Sequence, residues 1–471
     1  MPGHRGRVLL WDMVEKNADK FQELHFKLKS HVHSTRSLQW RENSLDRLAA
    51  EIQRSEVAIM EALKKDLGKP ELEAFSTEIG VVLGAIAHAR RELRSWAAPK
   101  KVSTPMKLLP GQSEILYSPK GAVLVISPWN YPFQLALSPV VAAISAGNAC
   151  ALKLSEAAPE TAIVIEKIVQ AVWPKGEVTC VLGDAAVASR LLDRPWGHVF
   201  FTGGTEIGRQ VMMTCAKYLT PVTLELGGKS PCIVDSDVDI EVASRRIMWG
   251  KTVNAGQTCI SPDFLLVHRS IEAEFIDALR SRALEFFGDR PLESSSYGRI
   301  VSDRHFQRLE ALLVNAEIVH GGERDALRKK MAPTLIKVSS VDDPAMAEEI
   351  FGPILPILTW ETREDLDVIL DRHPDPLAFY VFSNNSTFSR DLMIDRNFGG
   401  GCVNDTLLHF GNEELPFGGV GKSGIGAYHG RFGFETFSHQ KALLTRRFVL
   451  DVKFRYPPYG DTWKKLKGFL R

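Results

Sequence analysis

Residues 253–262 read VNAGQTCISP and place a single cysteine, Cys259, among small and polar neighbours. A cysteine that fills a hydrophobic core usually has apolar neighbours, and most lone cysteines are such packing residues. The polar surroundings of Cys259 favour a thiol that takes part in chemistry. One cysteine is a weak signal by itself, and two other stretches of the chain strengthen it.

These two stretches place a carboxylate and an amide at the ends of predicted strands. Residues 223–231 read TLELGGKSP, a short strand that ends at Glu225 before a pair of glycines. Residues 127–133 read SPWNYPF, with Asn130 between two prolines. A thiol, a carboxylate and a side-chain amide on strand ends and loops suit acyl chemistry through a thioester.

Taken together, the stretches resemble the aldehyde dehydrogenase superfamily over residues 35–458 or so. Three further motifs are similar to its class 3 branch, which includes fatty and aromatic aldehyde dehydrogenases. They are NDTLLHF at 404–410, LPFGGVGKSGIG at 415–426 and RYPP at 455–458. The motifs are long, and they follow one another in the family's order.

Strand and helix signals alternate along the chain, first over residues 122–226 and again over 233–404. Such alternation predicts an α/β fold, with parallel strands covered by helices on both faces. The resemblance implies a Rossmann-like cofactor domain, a second α/β catalytic domain and a small bridging and oligomerisation element. The expected divisions are 1–33 (an N-terminal extension, partly helical or disordered), 34–227 (the NAD(P)-binding domain, with bridging strands near 112–118), 228–431 (the catalytic domain) and 432–471 (the bridging segment and C-terminal tail).

The composition is that of an ordinary globular protein. Its formal net charge of +1, from 58 basic and 57 acidic residues, gives no electrostatic case for nucleic acid. The six scattered cysteines form no CxxC pair, which predicts free thiols in a reducing compartment and no metal site. No apolar run approaches the length that spans a bilayer, so we expect a cytoplasmic enzyme.

A glycine-rich turn marks the expected nucleotide site. Residues 201–208 read FTGGTEIG, a strand followed by a turn and a helix start, where backbone can approach a phosphate. Alone this pattern is usually only a turn, and it lacks the GxGxxG fingerprint. The resemblance makes Gly203, Gly204, Thr205 and Gly208 the phosphate-binding residues, with Gly204 where the family often has serine.

The resemblance also implies the rest of the cofactor site. Lys153 and Glu156, which could otherwise be solvated charges, match residues that meet the adenosine ribose. A carboxylate there would repel a 2′-phosphate, which favours NAD and leaves NADP as a second option. Glu349 and Phe351, which could otherwise form only a helix end and a turn, match residues that hold the nicotinamide ribose and ring.

The expected reaction oxidises a medium- or long-chain aliphatic or aromatic aldehyde to the carboxylic acid. Cys259 attacks the aldehyde, and the Asn130 amide with the Cys259 N–H stabilises the oxyanion. After hydride transfer to the nicotinamide, water hydrolyses the thioester with Glu225 as base, or with Glu349. Two alternatives remain, an acylating enzyme that passes the thioester to CoA or phosphate, and a non-catalytic binding protein of the same fold.

Further expectations concern the substrate tunnel and the partners. Tyr131, Trp249 and Phe410 are candidates for an apolar tunnel lining. The class 3 resemblance implies a homodimer joined by bridging strands. The tail at 459–471, YGDTWKKLKGFLR, is basic and aromatic. It favours a cap on the enzyme's own surface, with weak peripheral membrane docking as the alternative.

Overall fold

The structure is a computed structural model that describes residues 5–449, 451, 455–461, 464 and 467, with side chains from residue 20 onward. Helices dominate its first part, because apolar residues there recur at helical spacing. In the second helix, for example, Leu45, Leu48 and Ile52 form one buried stripe. The helices are α1 (Arg5–Thr35), α2 (Leu38–Arg54), α3 (Glu56–Leu67), α4 (Glu71–Ala74) and α5 (Gly80–Ala97).

A π-helical turn, Phe75–Ile79, joins α4 to α5 into one helical stretch, Glu71–Ala97. Contrary to the sequence-based expectation, this stretch is long and apolar enough to cross a membrane by length and composition. Many of its apolar residues, Val82 and Leu93 among them, are buried in the main hydrophobic core. We therefore interpret it as a core helix.

The first sheet forms from the alternating segments that follow. They are β1 (Lys100–Val102), β2 (Gly111–Pro119), β3 (Ala122–Ile126), α6 (Gln134–Ala146), β4 (Ala149–Lys153), α7 (Pro159–Val172), β5 (Val178–Val181), α8 (Ala185–Leu192), β6 (His198–Thr202), α9 (Thr205–Ala216) and β7 (Val222–Glu225). Strands β7, β6, β3, β4 and β5 lie side by side in that order, all parallel. The order reverses between β3 and β6, and the crevice at such a point is where open α/β sheets bind ligands.

A second sheet follows the glycine pair at 227–228. Its segments are β8 (Pro231–Val234), α10 (Ile240–Thr252), β9 (Phe264–His268), α11 (Glu272–Phe287), α12 (Asp303–Leu312), β10 (Glu317–His320), β11 (Arg324–Asp325), β12 (Lys330–Met331), β13 (Thr334–Lys337), α13 (Pro344–Ala347), β14 (Ile354–Trp360), α14 (Arg363–Asp371), β15 (Ala378–Phe382), α15 (Ser386–Asp395) and β16 (Gly400–Val403). The strand order is β10-β13-β14-β9-β8-β15-β16, with only β10 antiparallel to its neighbour. The predicted α/β architecture is confirmed.

The last described elements are β17 (Gly424–Ile425), α16 (Gly430–Thr436) and β18 (Ser438–Arg446). Strand β18 pairs along its whole length with β2, from Ser438 opposite Pro119 to Arg446 opposite Gly111. With β1 they form a separate antiparallel sheet in the order β1-β2-β18. The predicted bridging segments therefore pair with each other, and β18 is an edge strand.

Two contacts in the structure cross the expected domain divisions. The described part of 1–33 is helical, and Phe21 and Leu28 of α1 are buried against the first sheet, so α1 is part of that layer. Strand β17 falls within the range expected for the catalytic domain, yet it pairs with β7 of the first sheet. The apolar face of α1 is buried by segments that are distant in sequence, and the edge of β7 pairs with a strand that is distant in sequence.

Candidate functional site

The loop that carries Cys259 begins with a left-handed turn at the end of α10. Asn254, Ala255 and Gly256 have φ angles of 54°, 53° and 73°, although only glycine adopts this region without strain. At Gly256 a Cβ would also overlap the carbonyl oxygen of Gly352. The turn reverses the chain and holds the following residues, including Cys259, at the junction of the two sheets.

Hydrogen bonds fix this turn to both layers. The Asn254 side chain donates to the carbonyl oxygen of Asn130 at 2.8 Å, and its N–H donates to Glu73 at 3.0 Å. The Asn130 side chain donates to the carbonyl oxygen of Gln257 at 3.1 Å. Gln257 in turn donates to the carbonyl oxygens of Asn254 and Arg299. The residues around the thiol are therefore held from several sides.

Cys259 lies where two cavities meet, and it lines both of them. One cavity, of about 340 Å³, is bordered by polar groups that include Asn130, Glu225 and Glu349. The other, of about 270 Å³, has an apolar wall. The thiol can therefore meet a polar ligand from one side and an apolar ligand from the other.

The structure places all three candidate tunnel residues, Tyr131, Trp249 and Phe410, on the wall of the apolar cavity. The Tyr131 hydroxyl is hydrogen-bonded to that of Thr258 at 2.6 Å, which fixes its ring beside the cysteine. Sequence reasoning missed the other wall residues, because they come from distant loops and from the π-helical turn. They are Ser76, Thr77, Val81, Gln134, Leu135, Val253, Ile260, Leu407, Leu408, Gly411 and Phe417.

Glu225 ends β7 on the wall of the polar cavity, and its side chain is buried. Within the described part of the chain, neither of its carboxylate oxygens has a hydrogen-bond partner. Burial raises the pKa of this carboxyl well above its usual range, because a carboxylate without partners is poorly solvated there. A group that is buried, unpartnered and aimed into a cavity is typical of an acid–base residue.

Glu349 occupies the same cavity, and burial, with repulsion from Asp263, raises its pKa to about 8. Its position requires the glycine pair, because a Cβ at Gly227 would overlap the carboxylate, while the N–H of Gly228 stabilises it. The next but one residue, Phe351, contacts the Trp129 ring edge-to-face at 5.4 Å between centroids. Two carboxyls with raised pKa values therefore share one cavity with the thiol.

The candidate nucleotide residues lie at the end of β6 and the start of α9, on the switch point of the first sheet. Gly204 is the N-cap of α9 without a side-chain bond, and a Cβ there would meet open space. At Gly208 a Cβ would overlap Leu226, so this glycine allows helix and strand to approach closely. The uncapped N–H groups of α9 suit a phosphate. The buried Thr202 hydroxyl, without a partner among described residues, adds a polar group nearby.

Lys153 and Glu156 form an ion pair at 2.8 Å at the end of β4. The Lys153 side chain is almost fully buried, while that of Glu156 is half exposed. This arrangement offers an ammonium and a carboxylate to ribose hydroxyls, so the residues present fit a dinucleotide. Thr205 belongs to the glycine-rich turn at 201–208, and its hydroxyl donates a hydrogen bond to the carbonyl oxygen of Lys422. This bond connects α9 to the motif at 415–426.

Three residues of the polar cavity carry no sequence signal. Trp129 contacts the His305 ring at 5.1 Å between centroids. His305 and Arg308 lie three residues apart on α12, and Arg308 donates to the carbonyl oxygens of Glu349 and Ile350. Within an amphipathic helix such residues look like solvated side chains, and only tertiary packing brings them to the site. Over the described residues, no group of three or more His, Cys, Asp or Glu side chains could hold a metal ion.

Comparison with known proteins agrees with this geometry. A family model described as the aldehyde dehydrogenase family matches residues 18–443. The 4,4'-diaponeurosporen-aldehyde dehydrogenase of Staphylococcus aureus (strain NCTC 8325 / PS 47) is 42% identical over 443 residues, covering 94% of this chain and 96% of that protein. The dimeric NADP-preferring aldehyde dehydrogenase of Rattus norvegicus is 41% identical over 426 residues, covering 90% of this chain and 94% of that protein.

Among solved structures, one described as the substrate-bound state of Staphylococcus aureus AldH is similar, with a TM-score of 0.93 and 41% identity. The match covers 96% of this chain and 99% of that one. This chain therefore belongs to the aldehyde dehydrogenase family. Its relatives include class 3 members, which confirms the class 3 resemblance and the expectation of an NAD(P)-dependent enzyme that oxidises aldehydes.

The environment of Cys259 leads to a prediction for its reactivity. Burial raises the pKa of the thiol, and the negative charges of Glu349 and Glu225 raise it further. Because Glu349 ionises around pH 8, it opposes the thiolate mainly above that pH. We expect iodoacetamide to alkylate Cys259 faster in Glu349→Gln than in the wild type above pH 8. Below pH 8 the two proteins should react at the same rate.

The measurement is the rate of carboxamidomethylation of the Cys259 peptide against pH, followed by mass spectrometry. The matched control is Glu364→Gln, which neutralises an exposed carboxylate on α14 outside both cavities and should follow the wild-type curve. Alkylation of Glu349→Gln that is equal to or slower than the wild type above pH 8 would show that Glu349 does not act on the thiol.

Proposed function

We propose that this enzyme oxidises medium- or long-chain aliphatic and aromatic aldehydes to carboxylic acids with Cys259 as the nucleophile. The observation that carries the proposal is the apolar cavity that ends at the Cys259 thiol. Its aromatic and aliphatic wall favours an apolar chain or ring, because burial of apolar surface is the main attraction it offers. The Staphylococcus aureus relative is named for another aldehyde, 4,4'-diaponeurosporen-aldehyde.

In the proposed reaction, the Cys259 thiolate attacks the aldehyde carbon and forms a thiohemiacetal. The developing oxyanion is stabilised by the Cys259 backbone N–H and by the side-chain amide of Asn130. That amide has two N–H donors, and only one is used by the carbonyl oxygen of Gln257. Among the described residues the second donor has no partner, so it can meet an oxyanion between the two cavities.

The polar cavity is the proposed cofactor site. A nicotinamide cofactor, NAD(P), bound there would supply the hydride acceptor. Gly203, Gly204, Thr205 and Gly208 would border its phosphates. Lys153 and Glu156 would meet the adenosine ribose, and Glu349 with Phe351 would meet the nicotinamide end. The Glu156 carboxylate favours NAD, although the name of the rat relative shows that the family also contains NADP-preferring members.

Hydrolysis of the thioester requires a base that activates water. We assign this role to Glu225, because its carboxylate oxygens have no described partner to compete with a water molecule. The raised pKa of Glu225 makes its conjugate base a stronger proton acceptor once it is formed. Glu349 is the second candidate, since it lines the same cavity and its pKa is about 8.

The two alternative functions are less well supported. Transfer of the thioester to CoA or phosphate would not require a buried carboxylate beside the thiol, yet Glu225 occupies that place. A non-catalytic role does not explain why the thiol, the amide and two carboxyls converge on one cavity, and the relatives reported above are named as dehydrogenases.

The test of the proposed function is NADH formation with decanal or benzaldehyde, in the presence and absence of CoA and phosphate. We expect turnover without either acceptor. Cys259→Ala should abolish turnover and leave NAD affinity unchanged, because the residues proposed to hold the cofactor are all retained. Cys402→Ala, a half-buried cysteine outside both cavities, is the matched control and should remain active. Turnover by Cys259→Ala would reject the nucleophile, and dependence on CoA would favour the acylating alternative.

Glu225→Gln separates hydride transfer from hydrolysis. Since only hydrolysis requires the base, we expect a burst of about one NADH per active site and then a steady rate reduced by roughly 10²-fold or more. Stopped-flow absorbance of NADH follows both phases. Glu349→Gln is the comparison. Loss of the burst would assign Glu225 to thiol activation, and normal turnover would move the base role to Glu349.

Assembly, domains and location follow as further proposals. We propose that 34–227 forms the NAD(P)-binding domain and 228–431 the catalytic domain. Helix α1 and strand β17 would belong with the first of these, because both contact the first sheet. The segment from 432 onward would join two subunits into a homodimer, and the rat relative is named as dimeric. We also propose a cytoplasmic location. The membrane-docking alternative depends on Trp463, Leu466, Phe469 and Leu470, which lie outside the described residues.

The exposed edge of β18 supports the homodimer. Most of the strand is solvent-accessible, Leu443 and Leu444 included, and an open edge is free to pair with a second copy. We expect light scattering to give twice the chain mass at micromolar concentration. Leu443→Lys should shift this toward the monomer, while Leu327→Lys, in an exposed turn elsewhere, should not. A monomeric wild type would contradict the proposal.

A further inference from the structure

The π-helical turn Phe75–Ile79 lies beside the site and takes no part in the chemistry proposed so far. Glu78 lies on this turn and Glu73 just before it, and both carboxyls are close enough to Lys69 for their charges to act on it. Such turns are frequent at functional sites. Ser76 and Thr77, on the same turn, line the apolar cavity. The π-helical turn therefore lines the apolar cavity and also carries Glu78, which holds a neighbouring loop.

Glu78 is fully buried and uses both carboxylate oxygens. One accepts from the Lys69 ammonium at 2.5 Å. The other accepts from the N–H groups of Phe133 and Gln134 at 3.0 and 2.9 Å, at the start of α6. Glu78 thus fixes the point where the 127–133 loop, which carries Asn130, enters its helix.

Lys69 is also fully buried, and it reaches the same loop from the other direction. Its ammonium donates to the carbonyl oxygen of Asn130 at 3.2 Å and lies 3.8 Å from the centre of the Tyr131 ring. The Asn254 side chain donates to the same carbonyl oxygen at 2.8 Å. The Asn130 peptide is therefore held by a cation on one side and by the catalytic loop on the other.

The ion pair is costly to bury. Burial lowers the pKa of the Lys69 ammonium and raises that of the Glu78 carboxyl, and each charge partly offsets the shift of the other. Buried ion pairs are often replaceable by neutral residues without loss of stability, because attraction barely repays desolvation. A role in stability alone is therefore a weak explanation for two such side chains next to Asn130.

We propose that Lys69 and Glu78 are positioning residues that orient the Asn130 amide toward the oxyanion. The inference rests on the proposed roles of Cys259 and Asn130. Lys69 acts on the Asn130 carbonyl, and Glu78 holds both Lys69 and the start of α6. Neither residue touches the aldehyde, so their effect must pass through Asn130. That dependence makes the proposal testable by a double-mutant cycle.

The experiment measures kcat/KM for benzaldehyde at saturating NAD in four proteins. Asn130→Ala removes the oxyanion donor, and we expect a loss of about 10²–10³-fold. Lys69→Met should reduce kcat/KM by about tenfold, part of the same effect. In the Asn130→Ala background, Lys69→Met should cause less than about a twofold further loss, because no donor remains to be oriented.

Replacing Lys69 alone leaves Glu78 as a buried charge without its cation, and a second variant removes this problem. Lys69→Met combined with Glu78→Gln removes both charges and keeps an acceptor oxygen for the N–H groups of α6. We expect this protein to unfold at the wild-type temperature or above, to bind NAD normally and to show the same kinetic loss. The matched control is Glu42→Gln, which disturbs a buried carboxylate paired with Arg94 on α5, away from the site. It should keep wild-type kcat/KM.

The outcomes separate the positioning role from the proposed function. Suppose that the wild type oxidises benzaldehyde, but that Lys69→Met lowers kcat/KM by the same factor with and without Asn130→Ala. The positioning role is then wrong and the proposed function stands. A neutral pair with unchanged kcat/KM also rejects the positioning role alone. If the wild type forms no NADH with any aldehyde tested, the proposed function fails first, and the positioning role falls with it.

Discussion

The hydrogen bonds between Asn130 and the loop at 254–257 join the two α/β layers at the reactive thiol. Asn130 follows β3 of the first sheet, while Asn254 and Gln257 follow α10 of the second. Because the bonds run in both directions, neither loop can shift without leaving buried amides unpaired, which costs about 1–3 kcal/mol for each group. The placement of the Cys259 thiol relative to the Asn130 amide depends on this contact. The left-handed residues of the Cys259 loop are tolerated because the surrounding bonds hold them in place.

The electrostatics of the site are governed by burial. Glu225, Glu349 and Cys259 all have raised pKa values, and their negative forms repel one another across a small volume. Ionisation of one group therefore makes ionisation of the others harder, so the three titrate as a coupled set. The repulsion therefore favours the loss of one proton at a time from the three groups. In the proposed reaction the thiolate acts first, and a carboxylate base is needed only after the acyl group has formed.

Two cavities that meet at one sulfur explain how an apolar substrate and a polar cofactor can reach the same atom. The wall of the apolar cavity is assembled from the π-helical turn, from α10 and from the loop at 404–411. The polar cavity lies at the switch point of the first sheet, where helix N-termini and strand ends converge. In the proposed assignment, the substrate cavity is shaped by the π-helical turn, by α10 and by loops, whereas the cofactor cavity is shaped by the first sheet.

The sequence by itself predicted the alternation of strands and helices in both sheets, since short apolar runs indicate buried strands and apolar residues at helical spacing indicate helices. It also singled out Cys259, Glu225 and Asn130 as candidates, through the motifs that carry the family resemblance. Only the tertiary structure decided which distant groups support them. Lys69, Glu78 and Arg308 look like ordinary charges along the chain, and the partner of each is set by packing across more than one element. Likewise α1 and β17 join the first sheet because buried apolar faces and open strand edges are satisfied in space, which local spacing does not encode.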